Sequence, residues 1–276
     1  MAEPIELERP SEGVALLTLN DPECANRLRW SSIDRLGERL TEARTGGARV
    51  CVLASAVAGH WFEHACLRDL RGMVTGDPMT GSGVGWFVAQ QELASPELIS
   101  IAAVSGDCSG GGAELGWACD LRVAEESAHF SQPEILMGLP TGIGGTARLA
   151  RLVGPTIAAE MVLDGARLGA RRLYELGGVN RVVADGRARE VAIDWATRLA
   201  KRSPAAVSAL KQGLRASATQ PLDRALEREQ ALFQEVVSSP GGVAIIERIQ
   251  ARLDAGEPMH EVYRSLAERD DDPETA

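Results

Sequence analysis

A buried apolar segment that runs directly into a cluster of glycines limits how this chain can fold. Residues 99–105, ISIAAVS, form a continuous apolar run that is typical of a strand buried on both faces. Gly106 follows, and then the triplet Gly110, Gly111 and Gly112, at which the backbone can turn without side chains in the way. The segment therefore predicts a strand, a sharp turn and the start of a helix in direct succession.

The same alternation of strands and helices continues along the first half of the 276 residues. Apolar runs predict strands at residues 13–19, 50–54 and 121–124, and residues 31–43 have apolar side chains at helical spacing. A stretch rich in Gly and Met, residues 72–85, predicts a mobile loop. Five later segments have a helical period: residues 155–163, 168–176, 188–202, 204–216 and 221–237.

This order of elements indicates an α/β core followed by a helical C-terminal segment. We place the core at residues 1–200 and the helical segment at residues 201–265. The remaining residues, 266–276, are acidic and lack an apolar period, so we expect a disordered tail.

Charge and cysteine content narrow the function classes. The net charge of −10 and the isoelectric point of about 5.0 argue against a nucleic-acid partner, which would require a basic face. No apolar run is long enough for a membrane span, and the N-terminal residues lack the pattern of a secretory signal. The five cysteines are widely spread, without a CxxC or a zinc-site spacing, so we expect free thiols in a reducing cytoplasm and no metal site.

Two glutamates close to the glycine triplet are candidates for acid/base chemistry. The first amides of a helix have no internal partner, so they can stabilise a developing oxyanion. Glu114 lies two residues past the triplet and Glu134 twenty residues further on. Two carboxylates beside such amides could move protons next to a carbonyl. The residues alone equally allow Glu114 to complete a helix N-terminus and Glu134 to be a surface residue.

A second interpretation of the same region makes Cys108 a nucleophile. The segment GDCSG, residues 106–110, fits a G-x-C-x-G elbow, with His129 or His64 as the base. Against it, a glycine-rich turn follows Cys108 instead of an immediate helix, and small residues such as Cys are commonly core residues.

The chain resembles the crotonase group, which contains enoyl-CoA hydratases and enoyl-CoA isomerases. The resemblance runs from Val14 to about Leu253. It is strongest in IAAVSGDCSGGGAEL and in CDLRVAEESAHFSQPEILMGLPTGIGGTARLARLVG, and continues in LDGARLGARRLYELGGVNRVV. It implies a spiral core of ββα units with a helical C-terminal segment. It also implies an acyl-CoA thioester as ligand and a homotrimer or a dimer of trimers.

The resemblance also implies roles for individual residues. Glu114 and Glu134 match the two glutamates that position water and move protons in hydratases. The backbone amides of Cys66 and Gly111 match the pair that holds the thioester oxygen. No metal or redox cofactor is implied, because acid/base groups and an oxyanion site suffice, and coenzyme A is part of the substrate.

One segment departs from the pattern of the group. Residues 62–70, FEHACLRDL, stand where the group has an FSAGADL-like segment. Ala65 replaces a glycine whose left-handed backbone an alanine tolerates poorly, and Leu67 replaces an aspartate. Glu63 and His64 add charge and bulk beside the thioester. His64 is either a recruited acid/base group or an exposed loop residue.

Further positions match substrate-binding segments of the group. Ala25 and Arg27 lie in the first CoA-contacting segment, and Ala65, Leu67 and Gly110 line the thioester region. Weaker candidates for contacts with coenzyme A or the acyl chain are Arg29, Lys211, Met73, Met79, Trp86 and Phe87.

The retention of both glutamates favours an enoyl-CoA hydratase over an isomerase, which needs one base. An isomerase or another thioester-enolate reaction remains an alternative. The atypical segment also leaves open a member that binds acyl-CoA without turnover.

Overall fold

The computed structural model describes residues 4–268. The chain forms two compact units, with the division between Ala200 and Lys201. Within the described residues, no helix is long and apolar enough to cross a membrane.

The first unit is built on a six-stranded sheet with the order β1-β2-β3-β4-β6-β9. Strands β1 and β2 are antiparallel, and all other neighbours in this sheet are parallel. A second sheet has three strands in the order β5-β7-β8. The strands are β1 (Ile5–Ser11), β2 (Val14–Leu19), β3 (Val50–Ser55), β4 (Ile99–Val104), β5 (Asp107–Ser109), β6 (Leu121–Glu125), β7 (His129–Ser131), β8 (Arg167–Gly169) and β9 (Arg181–Val183).

Burial on both faces explains the apolar runs of the central strands. Every residue of β2 is buried, as are all but the last of β3 and all but the first of β4. A continuous apolar sequence suits a parallel strand that is covered on both sides. The edge strand β1 alternates apolar and charged residues and was not predicted from the sequence.

Eight helices belong to the first unit: α1 (Trp30–Thr45), α2 (Leu67–Thr75), α3 (Gly85–Leu93), α4 (Gly110–Ala118), α5 (Ala147–Val153), α6 (Pro155–Leu163), α7 (Ala170–Glu175) and α8 (Ala188–Ala200). Two short 3-10 helices, Pro22–Cys24 and Pro133–Met137, join them. Helix α8 covers one face of the large sheet with alanines four residues apart, which allow a close approach.

The second unit is helical: α9 (Pro204–Thr219), α10 (Leu222–Val237), α11 (Pro240–Asp254) and α12 (Met259–Glu268). The hydroxyl oxygen of Ser203 accepts from the amide of Ala206 and caps α9. The predicted tail, 266–276, overlaps α12 at residues 266–268, because Leu266 continues the apolar stripe that contains buried Val262. Residues 269–276 lie outside the described part of the chain.

The segment predicted as a mobile loop, residues 72–85, is tied to the core by two carboxylates. Its first residues complete α2. Buried Asp69 accepts from the amide and hydroxyl of Thr80, and Asp34 accepts from the amides of Ser82, Gly83 and Gly85. These bonds explain why a glycine-rich sequence has a defined path here.

Candidate active site

The glycine triplet opens α4 and brings two other segments of the chain, residues 62–64 and Trp86, against its first turn. A Cβ at Gly110, whose φ is +51°, would lie 2.9 Å from the Cβ of His64. One at Gly111 would lie 2.8 Å from Cη2 of Trp86, and one at Gly112 would overlap the carbonyl oxygen of Phe62. The absence of side chains therefore permits these close contacts, as the strand–turn–helix prediction required.

Glu114 lies on α4 with only 3% of its surface exposed. Its Oε1 accepts from the amide of Ile143 at 2.8 Å and from the amide of Gly145 at 2.7 Å. Burial raises the pKa of Glu114 above its ordinary value, while the amides of residues 142–145 partly offset this rise. The loop therefore supplies the donors that stabilise the ionised carboxylate inside the protein.

Glu134 lies in the 3-10 helix Pro133–Met137 and has a different environment. Its Oε2 is buried, with no hydrogen-bond partner among the described residues. Burial raises the pKa of Glu134, and the negative charge of Glu114 raises it further. Its Oε1 lies 3.4 Å from the position that a Cβ at Gly110 would occupy. The predicted pair of glutamates is thus brought together beside the glycine triplet.

The sequence predicted a loop through Gly145, but it did not identify the roles of Gln132 and of residues 142–145 at the site. Gln132 is fully buried and its Nε2 donates to the carbonyl oxygen of Gly110 at 3.1 Å. This bond ties the segment that carries Glu134 to the start of α4. Only the two prolines and four glycines around residues 133–145 hinted at an ordered loop.

The amide of Gly111 suits an oxyanion donor. Gly111 is the second residue of α4, where an amide has no acceptor within the helix. The neighbouring amides of Ser109 and Gly112 donate to the carbonyl oxygens of Phe62 and Glu63 at 3.3 and 3.0 Å. These two bonds hold the first turn of α4 in place around Gly111.

The amide of Cys66, which the resemblance assigns to the oxyanion pair, is in contrast engaged in a hydrogen bond within the protein. It donates to the carbonyl oxygen of Leu28 at 2.8 Å, and the amide of Leu28 donates to the carbonyl oxygen of His64 at 3.0 Å. Leu28 and Ala65 thus form a parallel bridge. Ala65 is not among the described non-glycine residues with left-handed backbone, which are Ala25 and Asn26. The alanine keeps the segment extended, and this directs the Cys66 amide toward Leu28.

The predicted CoA-contacting segment is a tight turn held by buried Asn26. Its Oδ1 accepts from the amide of Asp21 at 2.9 Å, and its Nδ2 donates to Ser55 Oγ at 2.7 Å. Ala25 has left-handed backbone in this turn, and Arg27 is exposed, with Nε donating to the carbonyl oxygen of Cys24.

The other predicted ligand contacts lie in several environments. Arg29 pairs with Asp21 and Glu23, and Lys211 lies on α9 of the second unit. Trp86 covers Gly111, as an acyl-pocket residue would. Leu67 at the start of α2 is exposed, and so are the other predicted apolar residues, Met73, Met79 and Phe87.

Cys108 does not fit a nucleophile, because it is fully buried and burial raises the pKa of its thiol well above the ordinary value. In β5 and β7 it pairs with Phe130, whereas His129 pairs with Asp107. Since side chains alternate along a strand, His129 lies on the opposite face from Cys108. The nucleophile-elbow interpretation is therefore wrong.

His64 is half-buried and its Nδ1 lies 2.9 Å from the carbonyl oxygen of Ala65. Because a carbonyl only accepts, Nδ1 carries the proton in this contact. Glu63 is paired with His60 at 2.5 Å. Within residues 4–268, no group of three or more His, Cys, Asp or Glu side chains could hold a metal ion.

Comparison with known families decides what kind of protein carries this site. The family model described as enoyl-CoA hydratase/isomerase matches residues 9–252. The chain belongs to the enoyl-CoA hydratase/isomerase family. The resemblance to the crotonase group is thereby confirmed.

Relatives with known names align with most of this chain. A 2,3-dehydroadipyl-CoA hydratase from Escherichia coli is 36% identical over 224 residues, which are 80% of this chain and 85% of the relative. A short-chain-enoyl-CoA hydratase from Clostridium acetobutylicum is 29% identical over 229 residues, 82% of this chain and 87% of the relative. The crystal structure of an enoyl-CoA hydratase from Bacillus anthracis matches with a TM-score of 0.80 and 27% identity, covering 90% of this chain and 96% of that one. The predicted α/β crotonase-like core is confirmed.

Proposed function

We propose that this protein is a lyase, an enoyl-CoA hydratase that adds water reversibly across the 2,3 double bond of an enoyl-CoA thioester. The observation that carries the proposal is the contrast between two neighbouring carboxylates. Glu114 accepts two backbone amides, whereas Glu134 has a buried oxygen without a partner among the described residues. Such a contrast separates the protonation states of a pair and assigns one to base and one to acid. The hydratase names of the relatives support the same reaction.

In the proposed mechanism, Glu114 and Glu134 hold a water molecule between them. Ionised Glu114 takes a proton from the water as its oxygen bonds to C3, and protonated Glu134 gives its proton to C2. The hydroxyl and the proton that are added balance the water that is consumed, and transfer of the proton from Glu114 to Glu134 resets the site. The amide of Gly111 stabilises the charge on the thioester oxygen, a donor of a type worth about 3 kcal/mol.

Contacts with coenzyme A, assembly and location are further parts of the proposal. Exposed Arg27 beside the turn at Ala25 is our candidate for a CoA phosphate, since Arg suits phosphate recognition. Leu67 and Gly110 are our candidates near the thioester. The family resemblance supports a homotrimer or dimer of trimers, and the free cysteines support a cytoplasmic location.

The test is hydration of crotonyl-CoA and of a longer 2-enoyl-CoA, followed by loss of the enoyl-thioester absorbance. We expect activity in the native chain and a loss of at least about 100-fold in both Glu114→Gln and Glu134→Gln, because each removes one proton-transfer group. Glu126→Gln is the matched control, since Glu126 is an exposed glutamate that pairs with Arg171 away from the glycine triplet. Intact hydration in either site variant would overturn the mechanism. Isomerisation of a 3-enoyl-CoA without hydration would show that the protein is an isomerase and not a hydratase.

A further inference from the structure

The carboxylate of Glu114 is held by the amides of a glycine-rich loop. Residues 141–145, TGIGG, contain three glycines, which fix few backbone angles by themselves. Yet the amides of Ile143 and Gly145 meet Oε1 of Glu114 at 2.8 and 2.7 Å. Those of Gly142 and Gly144 also act to lower the pKa of this carboxyl. A contact from outside the loop can therefore help to keep these amides directed at one point.

Arg148, on α5, contacts this loop through its side chain and its backbone. Its Nη1 donates to the carbonyl oxygen of Ile143 at 2.8 Å, and its own amide donates to the carbonyl oxygen of Gly144 at 2.8 Å. A Cβ at Gly144 would overlap the Arg148 guanidinium, so this glycine, with φ of +133°, leaves room for it. The side chain and backbone of one residue thus hold two consecutive carbonyls.

Two peptide groups connect the arginine to the glutamate. The Ile143–Gly144 peptide accepts from Nη1 of Arg148 through its oxygen, and it lies between the Ile143 and Gly145 amides that donate to Oε1 of Glu114. The next peptide, Gly144–Gly145, accepts from the Arg148 amide through its oxygen and donates through its N–H to Oε1 of Glu114 at 2.7 Å. A hydrogen bond at a peptide oxygen polarises the peptide and strengthens its N–H as a donor. Arg148 therefore fixes the position of the amides that donate to the carboxylate.

We propose that Arg148 is a positioning residue for the hydration reaction, acting through the loop amides that hold ionised Glu114. The kinetic part of this inference rests on the proposed hydratase function. The loop amides are what opposes the burial of the Glu114 carboxylate. Loss of the arginine contact leaves this burial less well opposed, so the pKa of Glu114 rises.

The experiment compares Arg148→Met, which keeps the length of the side chain, with Arg148→Lys, which keeps a donor. The matched control is Arg151→Met, because Arg151 lies one turn later on α5 and its Nη1 donates to a helix carbonyl, that of Ala147, at 2.7 Å. We measure kcat/KM for hydration against pH and, independently of turnover, titrate the Glu114 carboxyl by 13C NMR, assigned with Glu114→Gln.

We expect Arg148→Met to lower kcat/KM at neutral pH by about 10- to 100-fold, as for a small misplacement of a catalytic group. The acid limb of the kcat/KM–pH profile and the Glu114 titration should both move to higher pH by about one unit, since lost hydrogen bonds to the ionised form raise a carboxyl pKa. Arg148→Lys should restore most of both values, and Arg151→Met should change neither.

A loss of activity in Arg148→Met without a shift of the Glu114 titration would overturn the positioning role, as would equal effects in Arg151→Met. If Arg148→Met does not fold, an unshifted titration in Arg148→Gln overturns it instead. An inactive native chain would refute the proposed function alone, because the NMR titration still reports on the contact between the loop and Glu114.

Discussion

Replacing Ala65 by glycine should make the enzyme faster. In the structure the Cys66 amide is bound to the carbonyl oxygen of Leu28 at 2.8 Å, so it does not serve a thioester oxygen. Turning it toward the substrate requires a left-handed residue at position 65, which costs an L-residue about 1–2 kcal/mol. It also breaks a hydrogen bond with a net value of about 1 kcal/mol. Together these terms nearly cancel the roughly 3 kcal/mol that an oxyanion donor contributes.

Glycine removes the backbone penalty and leaves only the hydrogen bond to be broken. Relative to the native protein, the transition state is stabilised by the removed penalty of about 1–2 kcal/mol, which corresponds to about a 5- to 30-fold rise in kcat. The same substitution should lower the free energy of unfolding by about 0.5–1 kcal/mol, because glycine is more flexible in the unfolded chain. Faster turnover would thus accompany lower stability.

The assay is steady-state hydration of crotonyl-CoA with native protein, Ala65→Gly and Ala65→Ser. Serine is the control, because it has the same backbone restriction as alanine and should give no gain. A kcat of Ala65→Gly within about threefold of the native value would refute the reasoning. An equal gain in Ala65→Ser would also refute it, since a backbone effect could not then be the cause.

Four further outcomes are expected. Glu134→Gln should abolish hydration but raise the melting temperature at pH 7, because the raised pKa of Glu134 means that its ionised form destabilises the fold. In thermal unfolding this increase in melting temperature should vanish below about pH 4, where the carboxyl is protonated in both states. Burial acts to raise the pKa of Asp69, but its hydrogen bonds outweigh burial, so the pKa is lowered. Asp69→Asn should therefore lower the free energy of unfolding at pH 7, and this loss should become smaller as the pH falls toward the lowered pKa. Asn26→Ala should lower the free energy of unfolding in urea by about 2–3 kcal/mol through its lost buried hydrogen bonds. Cys108→Ala should keep full hydration, and a thiol alkylator that inactivates native protein but not this variant would contradict the site described above.

Local sequence patterns were enough to predict the elements that carry the site. A fully apolar run followed by glycines has few alternatives to a buried strand that turns into a helix, so β4 and the start of α4 were predicted correctly. The positions of Glu114 and Glu134 relative to that turn followed from the family resemblance. Neither inference needed knowledge of contacts distant in the sequence.

Contacts between distant segments explain what the sequence did not reveal. The loop that holds Glu114 lies 29 to 31 residues away from it, and glycines give no sign of which carboxylate their amides meet. The direction of the Cys66 amide depends on the backbone angle of Ala65, which a motif comparison does not contain. The order of residues 76–85 depends on Asp34 and Asp69, whose carboxylates are acceptors only once the helices are in place.

The three glycines of α4 should differ in which second mutations can rescue them. Gly111→Ala meets the end of the Trp86 ring, so a smaller side chain at position 86 should act as a suppressor. Gly110→Ala meets Cβ of His64, which only a glycine at position 64 removes, and the positive φ stays, so rescue should be partial. Gly112→Ala meets the backbone carbonyl of Phe62, which every amino acid possesses, so no single side-chain suppressor at that contact exists. Three adjacent positions with the same residue thus have three different genetic behaviours.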